Sequence, residues 1–517
     1  MTENTFAGRW QRVGRIAELP LVAIGLAAFA FAPLPLALLG ALGFAVAAAL
    51  RPWIVVPIVV LTLPYYLHPR TFGGIEVSLT EAAILLGLLG VVGRVAAERL
   101  ITPHPSECPA TAGLGVRRAD NPPPQGGRDP APNFPPQGGR EHTPSPLMGE
   151  GGGGGSALRL PTASPIDWAV AAMLLAGLLS LLVTEYPKQS LRELRWLIIE
   201  PLIVFYIARA TLTTPRQLNV VLWSLVASGV VAALIALGSL GLQGVLADPL
   251  ARATGPYLSP NHLGLFLGRA GAVALALALF APGFDQSRAK GRTVAWFMLA
   301  VIACGLLRTI SLGAWAGLAA AGLALTAMLG RRWLAATVLS LALVLFAALA
   351  VLPPGRTTGR LDPTSGTALF RVQIWAASLH MIADHPVLGV GLDNFLYRYR
   401  DGYMLPEAAE EPNISHPHNW LLNFWLELGI LGLAAALGVL AWVGATAWKL
   451  LRTPSSENDR LLGAATIGIF VATLVHGSLD NSYFLVDAAV LWWLFVALLA
   501  RATSSGPPSP PSLRPVE

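Results

Sequence analysis

Apolar runs of about 15 to 25 residues recur along most of the chain, separated by polar turns. They fall near 17–32, 35–50, 53–67, 77–97, 166–184, 195–211, 217–239, 261–281, 293–308, 311–329, 333–352, 419–447, 461–478 and 483–501. As a helix, each run can cross a hydrocarbon core of roughly 30 Å. The first three are short enough to merge or to lie partly re-entrant. The pattern predicts an all-α polytopic membrane protein of about 12–14 transmembrane helices, with a large, partly helical outer loop between late helices.

Two polar stretches interrupt the runs and divide the chain. Residues 1–99 form N-terminal transmembrane helices, 166–352 a central set and 419–503 a C-terminal set, followed by a disordered tail, 504–517. Between the first two sets, residues 100–165 are rich in Pro and Gly. They repeat Pro-Pro-Gln-Gly-Gly-Arg at 123–128 and 135–140, ahead of a Gly151–Gly155 run. Such a segment cannot bury enough apolar surface to offset its ordering entropy, so it is expected to be a disordered insertion or linker. Residues 353–418 differ, because Phe370, Trp375, Phe395, Tyr397, Tyr399 and Tyr403 are enough to build a fold. A helix is predicted over 367–384, stopped by His385-Pro386. Arg371, Trp375 and Ile382 share one face of it, which suits an element resting against the membrane surface. A long, foldable loop is where function is expected to sit.

Composition agrees: 54% of the 517 residues are hydrophobic and only 12% charged. Mean hydropathy is +0.60. A net charge of +6 could suit a nucleic-acid partner, but the basic residues punctuate the ends of apolar runs instead. Basic residues concentrate in the inner turns, as at Arg94, Arg209, Arg216, Arg331, Arg332 and Lys449, which places both termini in the cytoplasm and loop 353–418 outside. The two cysteines, Cys108 and Cys304, support no disulfide, thiolate zinc site or redox pair. Arg9, Arg12 and Arg15 precede a hydrophobic stretch that runs on into further spans, so no cleavable signal is expected.

Candidate chemistry gathers on the outer side. His418 lies where loop 353–418 becomes a span. The positive end of a helix disfavours imidazolium, and a neutral imidazole can serve as a general base; the alternative is an interfacial residue capping the helix. Glu427 is a carboxylate inside an apolar run, roughly on the opposite helix face, and is read as a structural hydrogen-bonding group. Arg192 and Arg195 precede one span; Asn261 and His262 open another, with Arg269 seven residues on. Arg308 lies at a turn, and His476 and Asp480 stand four apart, a spacing at which Asp can orient His. Each alone is more often a topological or interfacial residue than a functional one. Together they describe a site for an anionic lipid-linked substrate. Asp362, Asp384, Asp393 and Asp401 form no metal-ligand pattern, no His cluster has ligand spacing, and no phosphate-binding Gly-rich loop is present, so neither metal nor cofactor is expected.

Five motifs taken in order resemble the O-antigen ligase and polymerase superfamily. They are Ser259-Pro260-Asn261-His262-Leu-Gly264, Phe370-Arg371-Val-Gln-Ile-Trp375, Asp384-His-Pro386-Val-Leu-Gly389-Val-Gly391, His418-Asn419 with Glu427-Leu-Gly429, and His476-Gly-Ser-Leu-Asp480. The similarity covers roughly residues 190–485. It implies a multi-spanning glycosyltransferase of a bacterial inner membrane that takes a glycan from undecaprenyl diphosphate on the periplasmic face. The acceptor would be lipid A core, or another repeat unit in a polymerase, or a protein hydroxyl. The reaction would be inverting and metal-independent. Carried over, His418 deprotonates or positions the acceptor hydroxyl, Arg371 binds the diphosphate, and Asp480 supports the site. Arg308, Arg195, Asn261, His262 and His476 are the further substrate-binding candidates. The family often has Ser-Arg-Gly where this chain reads Ser311-Leu312-Gly313. Arg308, on the same face if the helix is continuous, is the expected replacement.

A ligase is the first reading and a capsule or exopolysaccharide polymerase the second. A transporter of lipid-linked glycans would need polar residues at midplane in several spans and internal repeats. Beyond Glu427 the span centres are almost wholly apolar. A structural scaffold would not need His418 and Arg371 together.

Overall fold

The computed structural model describes residues 25, 29, 32–72, 75–101, 164–248, 251–281, 286–351, 366–409 and 412–504. The expected span at 17–32, nearly all of the Pro/Gly-rich stretch, residues 353–365 and the tail beyond Ser504 lie outside them. The described residues up to Arg94 and from Ser164 onward belong to one compact unit.

In chain order the elements are α1 (Leu34–Leu50), α2 (Val55–Thr62), a hairpin of β1 (Arg70–Phe72) and β2 (Ile75–Val77), and α3 (Leu79–Ile101). Next come α4 (Pro165–Ser180), α5 (Pro187–Leu194), α6 (Glu200–Thr211), α7 (Pro215–Ala247), α8 (Pro260–Phe280), α9 (Gln286–Thr309), α10 (Leu312–Ala327) and α11 (Arg331–Val351). Last are α12 (Gly366–Asp384), α13 (Phe395–Arg398), α14 (Trp420–Arg452), α15 (Glu457–Gly477) and α16 (Val486–Ser504). Among the described residues, seven helices are long and apolar enough to cross a membrane, and four shorter apolar ones accompany them. The protein is an all-α polytopic membrane protein. The antiparallel hairpin, with Thr71 opposite Glu76, was not expected from the sequence.

Helix starts follow local chemistry. Ser164 and Asp167 make a capping box at α4, and Arg209 pairs with Asp167 at 2.5 Å. The Ser259 side chain accepts from Asn261 N, with Pro260 opening α8. Apolar side chains such as Leu39, Leu182 and Phe297 stay exposed on the outside, as a lipid-facing surface requires.

Helix α8 is the central pillar, buried along nearly all its length beyond the first turn and packed by α7, α9, α10 and α15. Small residues allow the approach: a Cβ on Gly264 would stand 2.8 Å from Ala314 Cβ, and one on Gly317 would stand 2.7 Å from the Ala472 carbonyl. Between apolar helices in lipid, such close packing is the main source of association.

The described part of the loop, residues 366–409 and 412–418, folds on α14. Helix α12 spans the predicted segment almost residue for residue, and Ile374, Ala377, Met381 and Ile382 pack with Val390, Phe395, Tyr399 and Leu426. The face carrying Arg371, Trp375 and Ile382 docks on protein. Trp375 Nε1–H donates to the Pro417 carbonyl at 3.0 Å, and Arg371 Nε–H to the Leu479 carbonyl at 3.0 Å. Helix α14 breaks at Gly429, whose φ is +66°. Into the break runs the segment after α12: Val390 N donates to the Leu426 carbonyl at 2.7 Å and Ile430 N to the Val387 carbonyl at 3.0 Å. Glu427 accepts from Asp393 N at 2.6 Å, the structural role its burial suggested.

Candidate functional site

The turn after α15 and the entry to α14 meet at one carboxylate. Asp480 Oδ1 lies 3.2 Å from His418 Nδ1 and 3.4 Å from His416 Nε2. Burial works against the charge on Asp480, but the hydrogen bonds from His416 and His418 outweigh it and hold the carboxyl well below its ordinary range. An ionised carboxylate only accepts, so both imidazoles donate to it. In that arrangement the neutral form of His418 carries its proton on Nδ1 and presents Nε2 as an acceptor. Burial, and next the neighbouring His418, push the His416 imidazole down to about 4, so His416 is neutral near pH 7.

His418 does not cap the helix. Asn419 does, its side chain accepting from Leu421 N and Leu422 N. His418 sits one residue earlier in the left-handed region, with φ +52°. Few non-glycine residues adopt that conformation, and it turns the imidazole toward Asp480.

A cavity of about 390 Å³ adjoins this cluster, within the range of roughly 300–1,000 Å³ usual for small-molecule sites. Asp480, His476, Arg371, Trp375, Asn261 and Arg252 line it, with the 310–313 turn. His476 Nε2 is buried 4.0 Å from Asp480 Oδ2, with no hydrogen-bond partner among the described residues. Gly313 lies against that ring, where a Cβ would stand 2.6 Å from His476 Cδ2. The expected pairing of His476 with Asp480 is therefore looser than the pairings of Asp480 with His418 and His416.

His262 opens α8 and interacts electrostatically with Asp480 and His418. Arg195 is not drawn in; it pairs with Glu81, and with Glu200 at 3.4 Å. Arg308 is not among the lining residues. Its Nη2 donates to the Ala251 carbonyl at 2.9 Å, and α9 ends at Thr309, so the continuous helix needed to carry it to the Leu312 position does not form. Ile310, with φ +47°, makes the break.

Sequence reasoning missed Arg252 and His416. Arg252 donates to the Thr309 carbonyl and to Asn261 Oδ1, both at 2.7 Å, placing a guanidinium on the cavity wall beside Leu312. The available signal was an arginine in the turn ahead of Asn261. His416 was visible only as the first half of His416-Pro417-His418. Spacing along the chain showed no metal-ligand set, yet folding brings donor atoms of His416, His418 and Asp480 within 4.8 Å of one another.

Behind the site Arg269 is buried, and its Nη2 donates to the Ser482 carbonyl at 2.7 Å. Its Nη1 stands 3.4 Å from Asp487, which also accepts from the Tyr257 hydroxyl at 3.2 Å. This buried pair fixes the 480–487 turn from below.

Residues 295–437 match the family described as O-antigen ligase. The match includes Arg371, His416 and His418, while Arg252, Asn261, His476 and Asp480 lie outside it. An O-antigen ligase of Pseudomonas aeruginosa is 31% identical over 145 residues, covering 26% of this chain and 31% of that protein. A Rickettsia conorii protein named as a polysaccharide ligase is 28% identical over 134 residues, 25% of this chain and 30% of its own length. The chain thus spans about a third of the length of the curated relatives it matches. Residues 295–437 are thus similar to the O-antigen ligase family that the motifs of the chain resemble.

Proposed function

We propose that this protein is a ligase-type glycosyltransferase of polysaccharide assembly. It moves a glycan from undecaprenyl diphosphate to a hydroxyl of lipid A core or a similar acceptor, at the periplasmic face of a bacterial inner membrane. The observation that carries the reading is a cavity lined by Arg371, Arg252 and Asp480, whose carboxylate also pairs with His418. Both relatives described above carry the word ligase in their names, which favours a ligase over a polymerase.

His418 Nε2 takes the proton of the acceptor hydroxyl as its oxygen bonds to the sugar C1. The bond from C1 to the diphosphate oxygen breaks in the same displacement, inverting C1. Arg371 and Arg252 hold the diphosphate and stabilise the charge that grows on it. Asp480 holds His418 in the tautomer that can accept a proton and stabilises the imidazolium that forms. No metal or cofactor takes part in these steps.

Purified protein given an undecaprenyl-diphosphate glycan, lipid A core and a second lipid-linked repeat tests the reading. Glycosylated core that depends on His418 is the expected product. Extension of the repeat alone would make the protein a polymerase, and transfer to neither would remove the reading.

A further inference from the structure

We propose that His416, His418 and Asp480 form a binding site for one divalent transition-metal ion, zinc being the best match, and that its occupancy stops glycan transfer. The inhibitory half rests on the role proposed for His418; the binding half stands on geometry alone.

Bonds of roughly 2.0–2.2 Å from N and O ligands to a tetrahedral zinc place neighbouring ligand atoms roughly 3.3 Å apart. Asp480 Oδ1 already stands 3.2 Å from His418 Nδ1 and 3.4 Å from His416 Nε2. The remaining edge, between the two imidazoles, lies within 4.8 Å and closes by a small turn of either ring. Two imidazoles and one carboxylate suit zinc, whereas magnesium and calcium take oxygen ligands.

The surroundings supply what a metal-binding histidine needs. Ser415 Oγ lies 3.0 Å from His416 Nδ1, where it can accept the proton that must sit there once Nε2 binds metal. His476 Nε2, buried and without a hydrogen-bond partner among the described residues, faces the other oxygen of Asp480 as a further donor. Asp480 and His476 both line the cavity, which gives an ion its entry path. Arg371 and Arg252 on the same cavity oppose a cation, so coordination rather than net charge has to carry the affinity.

Inhibition follows from the tautomer. Without metal, His418 Nδ1–H donates to Asp480 and Nε2 is the base. With zinc on Nδ1, the ring proton moves to Nε2 and the base is gone, with no proton gained or lost.

The test uses full-length protein in nanodiscs, stripped with EDTA and titrated with Co²⁺ while visible absorption is read. One saturable Co²⁺ per chain, displaced by Zn²⁺, is expected. Affinity should fall by at least roughly 10- to 100-fold in His416→Gln and in Asp480→Asn, both checked for monodispersity. It should not change in His380→Gln, an exposed histidine of α12. Absence of saturable binding, or binding indifferent to both variants, overturns the site. In parallel, Zn²⁺ should suppress transfer by wild type over the concentration range in which it displaces Co²⁺, and EDTA should restore it. Stimulation by Zn²⁺, or no effect at saturation, overturns the inhibitory half. Saturable Co²⁺ binding by a protein that transfers no glycan under any condition supports the metal site and refutes the glycosyltransferase reading.

Discussion

Asp480 Oδ1 and His418 Nδ1 stand 3.2 Å apart, although 62 residues of chain separate them. The pair joins the turn after α15 to the residue before the cap of α14. It also sets which nitrogen of the imidazole is available.

Replacing His418 with Asn should lower kcat for glycan transfer by about 10²- to 10⁴-fold, the usual share of a general base. Asn tolerates the left-handed backbone found at this position, so the fold should survive and the loss should isolate the imidazole. Rates near wild type in inserted, monodisperse protein would remove His418 from the base role.

Asp480→Asn should also reduce kcat, with little change in KM. An Asn amide can donate to Nδ1 and so favour the tautomer with its proton on Nε2. Single-turnover rates read the effect directly; an unchanged rate would mean that the tautomer does not matter.

Arg252 and Arg308 should separate cleanly. Arg252→Ala should raise KM for the lipid donor and lower kcat, as should Arg371→Ala, because both guanidinium groups line the cavity. Arg308→Ala should act mainly on thermal stability, through the lost bond to the Ala251 carbonyl. The reverse pattern in donor kinetics would return Arg308 to the donor site.

The crossing at the α14 break should be intolerant. A Cβ on Gly429 would stand 2.2 Å from the Val387 carbonyl oxygen, and one on Gly389 equally close to that of Leu426. Both glycines have φ in the left-handed region, so Gly429→Ala and Gly389→Ala should each sharply reduce the yield of folded protein. Gly438→Ala, with open space around it, should be within about 0.5 kcal/mol of wild type. Glu427→Gln keeps an acceptor for Asp393 N and should be mild, whereas Glu427→Leu leaves that N–H unsatisfied at about 1–3 kcal/mol. Thermal melts in detergent rank the set.

Removing residues 104–157 should leave transfer intact, because Pro/Gly-rich composition of this kind builds no core. Lost activity in correctly inserted protein would give this stretch a partner or a gating role.

Much of the scaffold is legible in the sequence because its signals are local. Apolar runs announce the spans, and His385-Pro386 announces the end of α12. The break in α14 is not legible. Glu427-Leu-Gly429 sits inside an apolar run, and only the crossing of Val387–Val390 explains why the helix opens there. At the site, His418 and Asn261 could be found as odd residues at span ends, and Arg371 on the helix predicted within the loop. The choice of partners could not, because helical spacing pairs Asp480 with His476 while the fold gives its side-chain hydrogen bonds to His418 and His416. Arg308 was placed on a helix assumed to continue, and the positive φ of Ile310 ends that helix first.

The cavity wall is drawn from four separated stretches of chain: residues 252–261, 310–313, 368–375 and 476–480. A ribosome delivers them in that order, and the carboxylate comes last. A nascent chain that has inserted everything through α14 already displays both guanidinium groups and both loop histidines, yet nothing fixes the imidazole tautomers. The carboxylate cluster is therefore incomplete until the last of the four stretches, the turn after α15, stands beside His418.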